Sequence, residues 1–308
     1  MPRISRTFLG LFVALLLALG MTMPASASTI RAGYPASLLA RQEGTNVLYS
    51  YGGGGSGYLS PGLQVGHGWG GFDYGIQIRS LRGDRYDDVI VRSPDGVLRI
   101  YHSNGSRLSG GYQIGHGWQD MTAIVPSDDW DGDGRPDILA RRPDGRMFLY
   151  PTNGAGRWGK VRQIGHGWNG LHMMSIPGDI DGDGHDDLIA VQESTGRLFL
   201  YPGNGRGGFK SGRAIGHGWK NFKNLTSFGD MDGDGIPDMI GQHENGRLYR
   251  YSGTGRGWWK PAVQIGHGWG DMSLPGQWKV TAQVGPPAPK PKPQPPRQPF
   301  VYGTLRTG

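Results

Sequence analysis

Three nine-residue stretches hold the side chains best placed for chemistry. The first reads Asp129-Trp130-Asp131-Gly132-Asp133-Gly134-Arg135-Pro136-Asp137, and Asp179 to Asp187 and Asp230 to Asp238 repeat its pattern, Asp-x-Asp-x-Asp-Gly-x-x-Asp. Carboxylates therefore recur at loop positions 1, 3, 5 and 9. They are Asp129, Asp131, Asp133 and Asp137, then Asp179, Asp181, Asp183 and Asp187, then Asp230, Asp232, Asp234 and Asp238. Four like charges so close together repel, and an empty loop would be strained. A hard divalent cation reverses that balance. Calcium takes about six to eight oxygens at ~2.3–2.6 Å, and the glycine at position 6 allows a short segment to wrap around it. Magnesium prefers fewer protein ligands and strict octahedral geometry. Zinc is disfavoured because the chain has no cysteine and the loops have no regular histidine. Acidic turns that merely solubilise a surface are the plain alternative, and three copies at identical offsets argue against it.

By analogy with the EF-hand loop, position 7 adds a backbone carbonyl, here from Arg135, His185 and Ile236. The differences are an Asp at position 9, no Glu at position 12, and strands as flanks. The equivalent stretch Ser80 to Asp88 has Ser80 and Arg82 at positions 1 and 3, leaving only Asp84 and Asp88. No calcium is predicted there, nor at Gln277-Trp278. Three calcium sites are expected.

A second string, Gly-His-Gly-Trp, occurs five times, carrying His67 and Trp69, His116 and Trp118, His166 and Trp168, His217 and Trp219, and His267 and Trp269. The His-to-His steps are 49, 50, 51 and 50 residues. Two readings stand. Each Trp could wedge between neighbouring structural units, its indole N–H finding a carbonyl. Alternatively the strings form equivalent shallow pockets, each offering an aromatic face and an imidazole to a sugar, with affinity gained through multivalency. Exposure of the Trp rings separates the two.

Both motifs need elements to position them, and the regular period defines those elements. Aligned on the strings, each unit contains four short strands bounded by Gly, Asn, Asp and Pro. Second strands read Leu38-Leu39-Ala40, Val89-Ile90-Val91, Ile138-Leu139-Ala140, Leu188-Ile189-Ala190 and Met239-Ile240-Gly241. Third strands end in Tyr49, Tyr101, Tyr150, Tyr201 and Tyr251. No stretch beyond the N-terminal segment has sustained helical periodicity. The prediction is all-β, a five-bladed β-propeller of ~50-residue four-stranded repeats. The first unit, starting near Ala36, lacks a first strand, and Met272-Ser273-Leu274-Pro275 resembles one. A C-terminal strand completing the first blade would close the ring and remove two sheet edges.

The acidic loops between short strands resemble FG-GAP/VCBS repeats, the family whose calcium loops decorate integrin-α-like propellers. The resemblance covers roughly residues 32–284 and implies the same fold and metal. Two departures are the blade number, commonly seven in that family, and the Gly-His-Gly-Trp string. Repeats of similar length also occur in five-bladed tachylectin-type propellers, which supports the sugar reading.

Met1 to Ser28 combines Arg3 and Arg6, the apolar run Phe8 to Leu19, and Ala25-Ser26-Ala27. That is a secretory signal pattern, residues 1–27, with cleavage after Ala27. A secreted, extracellular or cell-wall-associated protein follows, without membrane insertion after cleavage. Lacking disulfides, it needs another brace. The formal charge of +7 falls to +5 without Arg3 and Arg6, and the basic residues are scattered. Nucleic acid is therefore not an expected partner. Residues 285–299 form a Pro-rich linker. The nonapeptide at 300–308, Phe300-Val301-Tyr302-Gly303-Thr304-Leu305-Arg306-Thr307-Gly308, resembles the start of a gamma-glutamylcyclotransferase-like domain, whose catalytic acid would lie further downstream. No catalytic set is present, with no Cys nucleophile, Gly-x-Ser-x-Gly or His-Glu-x-x-His. The expected function is a non-catalytic calcium-binding module for extracellular glycan or a protein surface. The alternative is an accessory propeller of a truncated cyclotransferase-like enzyme.

Overall fold

The structure, a computed structural model, describes residues 37–154 and 156–280. The expected signal segment, linker and C-terminal nonapeptide lie outside those residues. Five antiparallel sheets form a β-propeller. The first blade contains β1 (Ser37–Gln42), β2 (Val47–Gly52) and β3 (Leu63–Gly66). The second has β4 (Tyr74–Ile78), β5 (Asp88–Arg92), β6 (Leu98–Ser103) and β7 (Leu108–Gly115). The third has β8 (Ala123–Ser127), β9 (Asp137–Arg141), β10 (Met147–Pro151) and β11 (Arg162–Gly165). The fourth has β12 (Leu171–Gly178), β13 (Asp187–Gln192), β14 (Arg197–Pro202) and β15 (Arg213–Gly216). The fifth has β16 (Phe222–Thr226), β17 (Met239–His243), β18 (Leu248–Tyr251) and β19 (Val263–Gly266). The last two strands are β20 (Met272–Ser273) and β21 (Gly276–Gln277). Among the described residues no helix is long and apolar enough to cross a membrane.

Closure follows the sequence reading and then goes further. β20 pairs with β1, placing Ser273 opposite Arg41 and Met272 opposite Gln42, so the first blade gains its missing inner strand. β21 then continues onto the second blade and pairs with β4, Gly276 opposite Gly75. Trp278 lies over Gly75, where a Cβ would come within 2.2 Å of the indole. Its Nε1–H donates to the Leu274 carbonyl at 2.9 Å. The C-terminus therefore ties two blades, and only the first tie was legible in the sequence.

First strands line the axis and touch one another around it, β4 against β8, β8 against β12, and β12 against β16. Apolar packing is distributed between neighbours as five clusters, one per blade interface. Second strands supply the central layer, with Ile138, Leu139, Ala140, Leu188, Ile189 and Ala190 fully buried. Strands that are covered on both faces read as continuous apolar runs, which is why these segments do not alternate. One column needs correction. The tyrosine of the first blade equivalent to Tyr101, Tyr150, Tyr201 and Tyr251 is Tyr51 and not Tyr49, because Leu48 aligns with Leu98, Met147, Leu198 and Leu248 at the base of each third strand.

Antiparallel connectivity sorts the motifs by face. Links from first to second strand and from third to fourth emerge on one face. Turns from second to third strand, and the strings leading to the next blade, emerge on the other. The acidic loops and the Gly-His-Gly-Trp strings therefore occupy opposite faces.

Candidate metal loops and inter-blade groove

Each acidic loop joins the first and second strands of its blade, in the third, fourth and fifth blades. Position 1 builds the turn, since Asp129 accepts from the Gly132 N–H at 2.8 Å and the Gly134 N–H at 2.9 Å. Asp179 and Asp230 accept from Gly182 and Gly184, and from Gly233 and Gly235, in the same way. Gly132 and Gly134 have φ of +85° and +82°, a left-handed path that suits glycine. Position 5 accepts from the position-7 N–H, at 2.9 Å for Asp133, 3.1 Å for Asp183 and 3.0 Å for Asp234. Position 9 is the anchor. Asp187 Oδ2 accepts from the Ile180 and Asp181 N–H groups and Oδ1 from Gly203. Asp137 and Asp238 repeat that arrangement.

Position 3 is different. Oδ1 of Asp131, Asp181 and Asp232 is buried and has no hydrogen-bond partner, the same atom in all three loops. A buried acceptor without a donor is costly. One carboxylate oxygen from each of Asp129, Asp131 and Asp137 lies within 4.8 Å of the others, and Asp179, Asp181 and Asp187 are grouped in the same way in the next loop. In the fifth blade the set is Asp230, Asp232 and Asp234; Asp238 lies outside it, as the expected ligands Asp133 and Asp183 lie outside the other two sets. These all-oxygen sets could hold a hard cation, and the orphaned oxygens are what such an ion would satisfy.

The carboxylates raise one another's proton affinity. Burial, reinforced by the Asp131 charge, pushes Asp137 up to about 7. Burial and Asp181 push Asp187 up to about 8, and burial and Asp232 push Asp238 up to about 6. Cationic side chains partly relieve the repulsion. Arg162 lies 3.4 Å from Asp131, Arg250 3.2 Å from Asp232, and Lys260 2.6 Å from Asp234, while Lys210 pairs with Asp183.

The loops also join blades. The position-2 carbonyl accepts an N–H from the outer hairpin of the next blade, Trp130 from Gly207 at 3.1 Å and Ile180 from Gly257 at 2.6 Å. Met231 accepts from Gly57 at 3.0 Å, so the third loop spans the closure of the ring. The position-7 side chains turn toward their own hairpins, Arg135 against Gly154, His185 over Gly205 and Ile236 against Gly253 and Gly255. In the second blade Asp88 keeps the anchor role, accepting from Leu81 at 3.0 Å, while Arg82 pairs with Asp84. No metal-sized set of carboxylates includes them among the described residues.

On the other face, the strings pack. Trp69, Trp118, Trp168, Trp219 and Trp269 are only 4–9% exposed. Each packs at a tilt against the third-strand tyrosine of the following blade, with centroids 4.4–4.7 Å apart, pairing with Tyr101, Tyr150, Tyr201, Tyr251 and Tyr51 respectively. A Cβ on the first glycine of any string would lie 2.3–3.0 Å from the indole nitrogen, so only glycine lets the ring fold back. The second glycine is left-handed in each. These five indoles offer no open face to a sugar, because they fill the blade interfaces. His67, His116, His166, His217 and His267 are all exposed.

An open aromatic surface lies elsewhere. Between the fourth and fifth blades a groove of ≈ 630 Å³ is lined by His217, Trp219, Tyr251, Trp258, Trp259 and neighbouring residues. Trp258 is 48% exposed. A second cavity, of ≈ 860 Å³, reaches along the axis and between the first two blades.

The model of the FG-GAP-like repeat matches residues 129–190 and 179–241, spanning all three acidic loops. Residues 129–241 carry FG-GAP-like repeats. No curated protein matches it. Among solved structures, the BP39L lectin from Burkholderia pseudomallei is similar with a TM-score of 0.47 and 18% identity, over 74% of this chain and 69% of that one. A lectin from Agrocybe aegerita, described for specific recognition of non-reducing terminal N-acetylglucosamine, gives a TM-score of 0.42 and 17% identity over 80% and 85% of the two chains. At these values neither likeness bears on ligand or site.

Two features of the blades are not evident from local sequence patterns. At the end of the second strand, a buried or partly buried side chain bridges the carbonyl of the string Trp and that of the residue three further on. Arg41 donates to Trp69 and Phe72, Arg92 to Trp118 and Met121, Arg141 to Trp168 and Leu171, and Gln242 to Trp269 and Met272. Val191 holds that place in the fourth blade. An Arg after an apolar run looks like a solvated strand end, although its recurrence at one column was a signal. The other is Asp186, at position 8 of the second loop. Its Oδ2 accepts from the Ser127 hydroxyl at 2.6 Å and the Asp128 N–H at 2.9 Å in the preceding blade. Burial and the Asp128 charge push it up to about 6.

Proposed function

We propose that this chain is an exported, calcium-clasped β-propeller that works as a non-catalytic binding module for extracellular glycan. One observation carries the metal assignment: the position-3 Oδ1 atoms of Asp131, Asp181 and Asp232 are buried and unpartnered, and each of these residues belongs to a set of three close carboxylates. The residues that would hold the ions are Asp129, Asp131, Asp133 and Asp137 with the Arg135 carbonyl, and their counterparts ending at Asp187 with His185 and at Asp238 with Ile236. Bound calcium supplies positive charge that offsets the carboxylate repulsion. Since the loops bridge blades, its effect is to brace the ring in place of disulfides. Extracellular modules bind calcium at ~10⁻⁴–10⁻³ M, which suits an exported protein.

The glycan assignment rests on the groove beside Trp258, which His217 also lines. An exposed aromatic face with nearby polar groups suits the C–H faces and hydroxyls of a sugar. Two measurements test the proposal. Native mass spectrometry with calcium is expected to show three ions per chain, and fewer than two would sink the metal assignment. A glycan array probed with and without chelator is expected to show binding, and silence under both conditions would discard the glycan reading.

A further inference from the structure

We infer that the groove between the fourth and fifth blades selects a pyranose carrying a negative charge. This rests on the glycan reading and deepens it. The five blade interfaces share a frame, but their outer residues differ, and the differences locate the site. Trp258 corresponds in the outer hairpins to Tyr58, Arg157 and Gly208, as the isolated bridges of the following residues show, Trp259 with Gly253 matching Leu59 with Gly53, Trp158 with Thr152 and Phe209 with Gly203. Lys260 correspondingly matches Ser60, Gly159 and Lys210. Arg197, on the facing blade, matches Val47, Val97, Arg146 and Arg247 at the start of each third strand. Among the described residues, only the fourth-to-fifth groove combines an exposed Trp with both an Arg and a Lys. The neighbouring groove that has Arg146 and Lys210 lacks the aromatic, and its Arg146 is held by Asp144 at 2.7 Å.

The charge in the groove is one-sided. Arg197, His217 and Lys260 line it, and no Asp or Glu does among the described residues. Lys260 already meets Asp234 at 2.6 Å, but Arg197 and His217 have no ion-pair partner among the described residues. Arg197 is therefore the donor left to a ligand, and a guanidinium matches a planar anion with paired hydrogen bonds. On the aromatic side, Arg213 sits 5.4 Å from the Trp258 ring centroid and covers one face, while the residue as a whole stays 48% exposed. A sugar with its ring on Trp258 and its anionic group toward Arg197 would use both features. The match concerns charge on a sugar ring, and uronates and phosphorylated sugars both supply it.

The test titrates calcium-loaded protein with cellotriose, its C6-oxidised counterpart cellotriuronic acid, and cellotriose 6-phosphate, read by calorimetry and tryptophan fluorescence. At least one charged trimer is expected to bind roughly 10-fold tighter than neutral cellotriose, as loss or gain of one charge-assisted pair implies. Which of the two binds tighter names the source of the charge. Arg197→Ala is expected to remove that preference while keeping neutral binding, and Trp258→Ala to weaken all three. Both side chains are exposed at least in part, so the variants should keep the calcium-dependent melting temperature of the parent. Equal binding of neutral and charged trimers would overturn the charge selection and leave the glycan reading standing. Binding untouched by both substitutions would overturn the location. No binding by any trimer, with the array also silent, would bring down the glycan reading itself.

Discussion

Asp88 stands in a loop whose first and third positions are Ser80 and Arg82, yet it accepts the same backbone hydrogen bond as Asp137, Asp187 and Asp238. The ninth position thus does a structural job that persists where a metal set is missing, and the third position is free of that duty. The two roles separate by substitution. Asp181→Asn is expected to lower the calcium count from three to two by native mass spectrometry while the chelated protein melts no lower than the parent, because a charge that repels Asp187 is removed. Asp187→Ala should cost about 1–3 kcal/mol even in chelator, because buried N–H groups lose their acceptor. Melting curves with and without calcium check both. The pH dependence follows from the raised carboxylates. In metal-free protein, Asp137, Asp187 and Asp238 hold protons up to about 7, 8 and 6, whereas unfolded aspartates release theirs near ~3.9. The folded state binds more protons across that window, so stability falls as pH rises through it. Metal-free protein is therefore expected to melt higher near pH 5 than near pH 8.5. Calcium should reverse the trend at the alkaline end, and a flat profile would contradict it.

At the scale of elements, strings and loops divide the work of holding blades together. Each string fills an interface with a buried indole against a tyrosine. Trp168→Ala should cost about 3–5 kcal/mol as a large buried aromatic is lost. Trp258→Ala, at an exposed position, should stay within roughly 0.5 kcal/mol. Denaturant titration of the two variants makes the comparison, and equal losses would show that the groove aromatic is also a packing residue. Each acidic loop adds a clasp to the next blade. With free calcium at ten times the dissociation constant, each site would add about 1.4 kcal/mol by mass action. Excess chelator is accordingly expected to lower the melting temperature, and an unchanged curve would remove the bracing role.

For the whole molecule, the closure decides cooperativity. β20 completes the first blade, β21 extends the second, and the loop of the fifth blade reaches Gly57 in the first. Those three ties make a ring from an array whose sheets otherwise contact only their neighbours. A chain ending after Asp271 loses both C-terminal strands and is expected to unfold at lower temperature and over a broader range by calorimetry. A single sharp transition unchanged from the parent would show that the strands are ornamental.

The five-fold period, the four-strand unit, the acidic loops and even the strand that completes the first blade were fixed by local patterns, since turns, apolar runs and repeated carboxylates are determined over a few residues. Whether a repeated side chain faces solvent or a neighbouring blade is not a local property. The string Trp rings became packing because a glycine beneath each indole lets it fold into the interface, and Tyr51 replaced Tyr49 because the register of the sheet set the column. The buried Arg column, the reach of Asp186 into the preceding blade and the groove at Trp258 depend on contacts between units some fifty residues apart, as the His spacing shows. Only the assembled ring brings those groups within bonding distance.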